Sequence, residues 1–278
     1  MSATTPDFDC ILEAALGTAR RAGAILMDKF QRLERVEKKG MVDLVTEADL
    51  ASEREIVASL RRAFPEHTIV AEEGDYPDGS LRDDQSTPSP HHWVIDPLDG
   101  TTNYVHGLPI FAVSIGYQLE GETVVGVVIN PARGEEFVAV KGQGATLNGQ
   151  PIRVSEVEQL ADSLLVTGFP YSHDEVFYRS FDLYRELSDR CQGVRRLGAA
   201  ALDFCYVAAG RFDAFYEANL RTWDLCAGDL ICREAGGRTS DWFGGPMPPD
   251  GRRILASNGR IHEEVLEVLA QPEFAGLR

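Results

Sequence analysis

Trp93-Val94-Ile95-Asp96-Pro97-Leu98-Asp99-Gly100-Thr101-Thr102-Asn103 begins as an apolar strand and ends in an acidic turn. Pro97 fixes φ and has no N–H to give, so the turn is stiff. Leu98 then offers the turn its carbonyl while its side chain goes to the core, and Gly100 permits close backbone approach. Upstream, Thr68 to Ala71 reads as a short strand running into Glu72 and Glu73. Downstream, Phe111 to Leu119, Thr123 to Asn130 and Glu136 to Val140 are β-rich runs at hairpin spacing, and Asn148-Gly149 marks a tight turn. The centre of the first half is therefore an antiparallel meander.

Helices flank it. From Pro6 to Phe30 the apolar residues follow helical spacing, with Thr5 as the expected N-cap and Pro6 in the first turn. A charged connector, Arg32 to Lys39, leads to Gly40, and a second helix is expected after Thr46. Thr46 and Asp49 match the capping box, and Pro65 stops the helix. Residues 74–92, rich in Gly, Pro, Ser and Asp, read as an exposed loop that includes His91-His92.

The second half alternates strand-like runs (Leu164 to Thr167, Phe212 to Tyr216, Ile254 to Ala256) with helical ones. The latter are Asp174 to Asp189, Ala199 to Ala209, Leu225 to Ala235 and His262 to Leu269. This pattern predicts an α/β (α+β) fold, a layered αβαβα sandwich. Residues 1–155 would form a helix-plus-antiparallel-sheet lobe and residues 156–278 a mixed-sheet lobe.

Composition narrows the function. The 278 residues carry 44 acidic and 27 basic side chains, a net charge of −17. Such a surface repels phosphate backbones, so nucleic acid is not expected as a partner. No run approaches the ~20 apolar residues of a membrane span, so no membrane partner is expected either. The opening MSATTPDFDC does not read as a secretory signal, and five cysteines without a CxxC pair read as reduced thiols of a cytoplasmic protein. No GxSxG elbow or GxxxxGK[ST] loop is present, Gly142-Gln143-Gly144 reads as a turn, and Arg195-Arg196 as a salt-bridged strand surface.

Five acids stand out by position: Glu72 and Glu73 after a strand, Asp96 at the end of another, Asp99 in the turn and Asp224 near a helix start. Strand ends and helix starts are where ligands bind in open α/β architectures. Oxygen-only ligation favours hard cations such as magnesium, manganese or calcium. Asp-Pro and Asp-Gly are also ordinary turn dipeptides, so the spacing alone leaves a plain turn open.

Ordered motifs extend these residues across the chain: Asp43-Leu44-Val45-Thr46-Glu47-Ala48-Asp49, Glu72-Glu73, Trp93 to Pro109, Gly198-Ala199-Ala200-Ala201, and Trp223-Asp224 to Gly237. In these the chain resembles the inositol monophosphatase family, lithium-sensitive and magnesium-dependent phosphatases, from about Phe8 to Leu269. The resemblance implies that Glu72, Asp96 and the Leu98 carbonyl hold a first Mg2+. Asp96, Asp99 and Asp224 would hold a second, and Glu72 a weaker third. It further implies that Gly100 and Thr101 N–H groups receive phosphate oxygens, that Thr101 with Glu72 orients and deprotonates the attacking water, and that Asp49 holds the Thr101 hydroxyl. Glu217 and the Ala200 backbone would meet polyol hydroxyls, and Lys38 falls where the family has a basic residue over the metals.

The implied protein is a homodimer acting on a small phosphate monoester, with inositol monophosphate favoured by Thr101-Thr102-Asn103-Tyr104. Fructose 1,6-bisphosphate, histidinol phosphate and 3′-phosphoadenosine nucleotides are the family's alternatives. A regulatory protein that kept the fold is the other class, since some bacterial relatives are thought to act through contacts with the transcription machinery. The intact acid set speaks for catalysis.

Overall fold

The computed structural model describes residues 7–33, 35–38, 44–74, 89–171 and 174–275. Thr5, Pro6, Asp43 and most of the 74–92 segment lie outside them. In chain order the elements are α1 (Phe8–Lys29), β1 (Val36–Lys38), β2 (Leu44–Thr46), α2 (Glu47–Ala63), β3 (Thr68–Ala71), β4 (His91–Asp99) and α3 (Thr101–Val105). There follow β5 (Ala112–Leu119), β6 (Glu122–Asn130), β7 (Glu135–Val140), β8 (Gly144–Leu147), β9 (Gln150–Pro151), β10 (Leu164–Thr167) and α4 (Glu175–Ser188). The chain closes with β11 (Gly193–Arg195), α5 (Ala200–Ala208), β12 (Ala214–Ala218), α6 (Thr222–Glu234), β13 (Arg238–Ser240), β14 (Arg253–Ser257), α7 (His262–Leu269) and α8 (Pro272–Ala275).

Seven strands form one sheet in the order β3-β4-β5-β6-β7-β8-β9, and five form another in the order β11-β10-β12-β14-β13. Three apolar clusters account for the stacking. Ile11, Leu26, Ile56 and Leu60 join α1 and α2 to one face of the larger sheet through Ile95, Ile115 and Val127. Phe204, Val207, Leu230 and Ile231 of α5 and α6 fill the space between the sheets, against Val128, Phe137, Phe215 and Ile254. Leu183, Leu187, Val265 and Leu269 of α4 and α7 cover the outer face of the smaller sheet. The result is the expected αβαβα sandwich. Burying each such Leu or Ile contributes about 1.5–3 kcal/mol.

Several local expectations shift. Helix α1 begins at Phe8 with Asp7 as its N-cap, the Asp7 carboxylate accepting the Asp9 N–H at 3.1 Å. Strand β3 runs parallel to β4, so the larger sheet is antiparallel only from β4 onward. His91 and His92 lie on β4, half-buried, rather than in a loop; His91 stacks on His67 with ring centroids 4.5 Å apart and its Nδ1 meets Tyr117 Oη at 2.6 Å. Helix α6 begins at Thr222, three residues before the sequence pattern announces it, which places Asp224 inside its first turn. Arg195 is exposed at the end of β11, and no ion pair holds it or Arg196 among the described residues.

Candidate active site

The β4 segment acquires its shape from a bulge. Asp96 pairs with Ser114 and Asp99 with Ala112, so β4 spends one residue more than β5 between the same rungs. In a regular strand, residues three apart point to opposite faces. The extra residue cancels that alternation. Asp96 and Asp99 therefore share the face of Ser114 and Ala112, the face covered by α6, where Ser114 Oγ lies 3.5 Å from the Trp223 carbonyl. Pro97 suits a bulge because it has no ladder N–H to lose.

Helix α2 braces this corner from the other side. Ser52 Oγ donates to the Pro97 carbonyl at 2.7 Å. One turn earlier, Asp49 Oδ2 accepts the Thr46 N–H at 2.8 Å, closing the capping box that the sequence announces. Its other oxygen stands 3.0 Å from Thr101 Oγ1, which is also 3.1 Å from the Leu98 carbonyl. The Leu98 side chain is in the core, as the sequence reading required. Gly100 has φ +89°, and a Cβ there would stand 3.0 Å from the Ile110 carbonyl and 3.2 Å from Ala199 Cβ, so no side chain fits.

The middle helices bring in the rest. Asp99 accepts the Ala200 and Ala201 N–H groups at 3.1 and 2.8 Å, docking its carboxylate on the start of α5. The Ala200 N–H is thus engaged by Asp99. Asp224 Oδ2 accepts the Arg221 N–H at 2.6 Å, capping α6. Asn103 Nδ2 donates to the Ile110 and Leu197 carbonyls, both at 2.8 Å, and fixes the approach to Gly198.

Glu72, Asp99, Glu217 and Asp224 line one cleft, and burial with nearby charge shifts the last three upward. Burial, then the charges of Glu72, Asp99 and Asp224, push the Asp96 carboxyl well above the usual carboxylate range. Burial lifts Asp99 to about 7, against the Ala201 N–H and together with the Glu72 charge. Asp224 rises to about 7 through burial and the Asp99 charge. Glu217 rises to about 8 through burial and Asp224, with Arg196 opposing. Asp224 and Glu217 keep some surface open to the cleft while protein walls off their carboxyls.

These groups open on a cleft of 680 Å³ that is also lined by Phe169, Arg196, Ala200, Trp223 and Arg252. Glu72, Asp99, Asp224, Ala200 and Glu217 line it directly, and Asp96 sits beneath them. Lys38 lies on β1, and Asp49 is buried behind Thr101.

An all-oxygen set of carboxylates and one carbonyl, held close enough to raise one another's pKa values, suits a hard divalent cation. Among the described residues no three acidic, His or Cys side chains enclose a metal unaided. The Leu98 carbonyl, water and substrate oxygens would complete a ligand shell around the carboxylates. The residues fit magnesium.

Four further residues meet at the site without a strong signal in the sequence. Asp203 lies on α5 with Oδ1 buried and unpartnered, near the Glu217 and Asp99 charges. An acid inside the otherwise apolar Ala200-Ala201-Leu202-Asp203-Phe204-Cys205 was its signal. Gly168 lies against Glu217, so that a Cβ there would come within 2.1 Å of Oε1. Glu53 and Arg252 carried no local signal.

The fold and site together define a layered α/β protein with a cleft lined by buried acids. The family model described as the inositol monophosphatase family matches residues 7–272. The chain is 43% identical over 263 residues to the Nus factor SuhB of Pseudomonas aeruginosa, covering 93% of this chain and 95% of that one. Among solved structures it is similar to the extragenic suppressor protein suhB of Bartonella henselae (TM-score 0.86, 37% identity, 94% of this chain and 99% of that one). It is likewise similar to the inositol monophosphatase of Anabaena (Nostoc) (TM-score 0.83, 38% identity, 97% and 99%). This chain belongs to the inositol monophosphatase family.

Proposed function

We propose that this protein is a magnesium-dependent phosphomonoesterase that hydrolyses inositol monophosphate by attack of water on phosphorus. The observation that carries the reading is one cleft lined by Glu72, Asp99 and Asp224, with Asp96 buried close enough for their charges to raise its carboxyl. Glu72, Asp96 and the Leu98 carbonyl would hold one magnesium, Asp96, Asp99 and Asp224 a second, and Glu72 would share a weaker third. When bound, the metals supply charge neutralisation of the phosphate and a lowered pKa for water.

The chain's own groups do the rest. Thr101 Oγ1, its rotor limited by Asp49 and Leu98, orients the water, and Glu72 takes its proton. The Gly100 and Thr101 N–H groups receive phosphate oxygens in a turn whose φ of +89° at Gly100 disfavours a side chain. Glu217 accepts polyol hydroxyls, and Ala200 forms the cleft wall beside Asp99. Residues 1–155 carry most ligands and the phosphate contacts, and 156–278 supply Asp224 and the contacts to the alcohol part. The working form is a homodimer in a reducing cytoplasm, which sedimentation tests. No described helix is long and apolar enough to cross a membrane.

Phosphate release from inositol 1-phosphate tests the reading. Activity requires magnesium, ends with chelator, falls at millimolar lithium and is abolished by Asp99→Asn in a folded protein. Turnover that survives the chelator or Asp99→Asn overturns it. Relatives named Nus factor favour a second reading, a Nus-factor-like role separate from phosphate release. Rescue of a deletion strain by the Asp99→Asn variant would support that role.

A further inference from the structure

In a chain of net charge −17, three arginines line the one cleft that the acids open on: Arg196, Arg221 and Arg252. They come from separate segments, after β11, before α6 and before β14. The last two segments are laced together. The Asn219 N–H donates to the Arg252 carbonyl at 2.9 Å, the Leu220 N–H to the Gly251 carbonyl at 3.0 Å, and Thr222 Oγ1 to the Pro249 carbonyl at 2.9 Å. Two left-handed residues shape the junction, Asn219 (φ 65°) and Gly251 (φ 66°). A Cβ on Gly251 would come within 2.6 Å of the Leu220 backbone, so the two segments pack closely enough to need glycine there. Arg221 and Arg252 thus stand exposed on a rigid wall.

Arg196 is placed by a different contact. Its Nη1 lies 2.6 Å from where a Gly198 Cβ would be, and its charge partly offsets the rise that burial imposes on the Glu217 and Asp203 carboxyls. Arg252 pairs with Asp250 at 2.8 Å, but the side chains are 74% and 52% exposed. Such a pair contributes about 0–1 kcal/mol and yields to a stronger anion. None of the three guanidinium groups is needed to build the core. Their planar forks match phosphate and carboxylate oxygens.

We propose that Arg221 and Arg252, with Arg196 on the same cleft, form a second-anion subsite for a phosphate or carboxylate carried on the alcohol part of the substrate. Resting on the phosphatase reading above, this makes doubly anionic phosphate esters the preferred substrate class, with inositol monophosphate a weaker member. The scissile phosphate stays at the acidic corner. The second anion lowers KM by pairing with arginine on the leaving-group side, where the background field would otherwise repel it.

The test compares matched pairs at constant free magnesium: fructose 1-phosphate with fructose 1,6-bisphosphate, and glycerol 3-phosphate with 3-phosphoglycerate. The first pair adds a phosphate and the second replaces a hydroxymethyl by a carboxylate. We expect kcat/KM to favour the doubly anionic partner of at least one pair by about tenfold, through KM, with the preference shrinking as salt rises. The pair that shows it identifies the anion. In Arg221→Gln/Arg252→Gln the ratio within that pair should fall to near one, and the Lys/Lys variant should restore part of it. Equal kcat/KM within both wild-type pairs overturns the subsite while leaving the phosphatase reading intact. A ratio unchanged in the Gln/Gln variant also overturns it. Absence of turnover on all four esters while inositol 1-phosphate is hydrolysed overturns the subsite alone, and absence of turnover on inositol 1-phosphate as well overturns both.

Discussion

Glu53 Oε2 accepts the backbone N–H of Glu73 at 2.9 Å, although Glu53 is buried in α2 and Glu73 lies beyond the end of β3. With Asp49 and Ser52 it completes one helical stripe whose three polar groups reach Thr101, Pro97 and Glu73. The segment that carries Glu72 is therefore aimed from inside α2. Glu53→Ala should destabilise the fold by about 1–3 kcal/mol, since it orphans a partly buried N–H. It should also weaken magnesium binding. Glu53→Gln keeps an acceptor oxygen and should lose less of both, as urea denaturation and calorimetric titration would show. Equal losses in the two variants would remove Glu53 from this role.

Gly168 and Glu217 make a second pair. Any side chain at 168 collides with the Glu217 carboxyl. Gly168→Ala should raise KM for inositol 1-phosphate by about tenfold, the size of one lost charged hydrogen bond, while p-nitrophenyl phosphate, which has no polyol, is turned over as before. A parallel loss on both substrates would place the effect elsewhere.

Thr101 carries the hydroxyl nearest the corner. Thr101→Ala should lower kcat by about 10²–10⁴-fold, and Thr101→Ser, which keeps the hydroxyl, should recover most of it. Steady-state kinetics on folded protein decide this.

Burial and mutual charge raise Asp96, Asp99 and Asp224 together, which disfavours their charged forms and favours a bound cation. Magnesium at a hundred times its Kd should add about 2.7 kcal/mol of stability. Asp96→Asn should raise Tm without metal and abolish the magnesium-induced rise. Differential scanning calorimetry with and without the ion reads both.

His262 is fully buried between Ser240 Oγ (2.9 Å from Nε2) and Ser257 Oγ (2.7 Å from Nδ1). Burial and the Arg238 charge lower it from 6.5 to about 4. The unfolded chain protonates this ring first, so stability is held above pH 6.5 and lost as pH falls from 6.5 to about 4. His262→Asn should flatten that part of the pH–stability curve, measured by denaturant midpoints.

Much of this was legible in the residues. The Thr46–Asp49 capping box, the meander from Ala112 to Val140 and the acidic turn after Pro97 are local patterns, set by periodicity, capping geometry and proline stereochemistry. The Asp96–Asp99 bulge was not legible, because a register shift belongs to two strands. The wrong N-cap at Thr5 and the late start given to α6 are boundary errors, where one polar residue competes with another.

By itself the sequence determined the element order, the family motifs and the oxygen-only chemistry of the acids. Only the tertiary structure decided that Asp99 meets the start of α5, 101 residues on, that Glu217 rests on Gly168, and that three arginines enter an acidic protein's cleft. The reason is physical: local propensity acts over a few residues, whereas these meetings are set by α5 and α6 burying their apolar faces between two sheets.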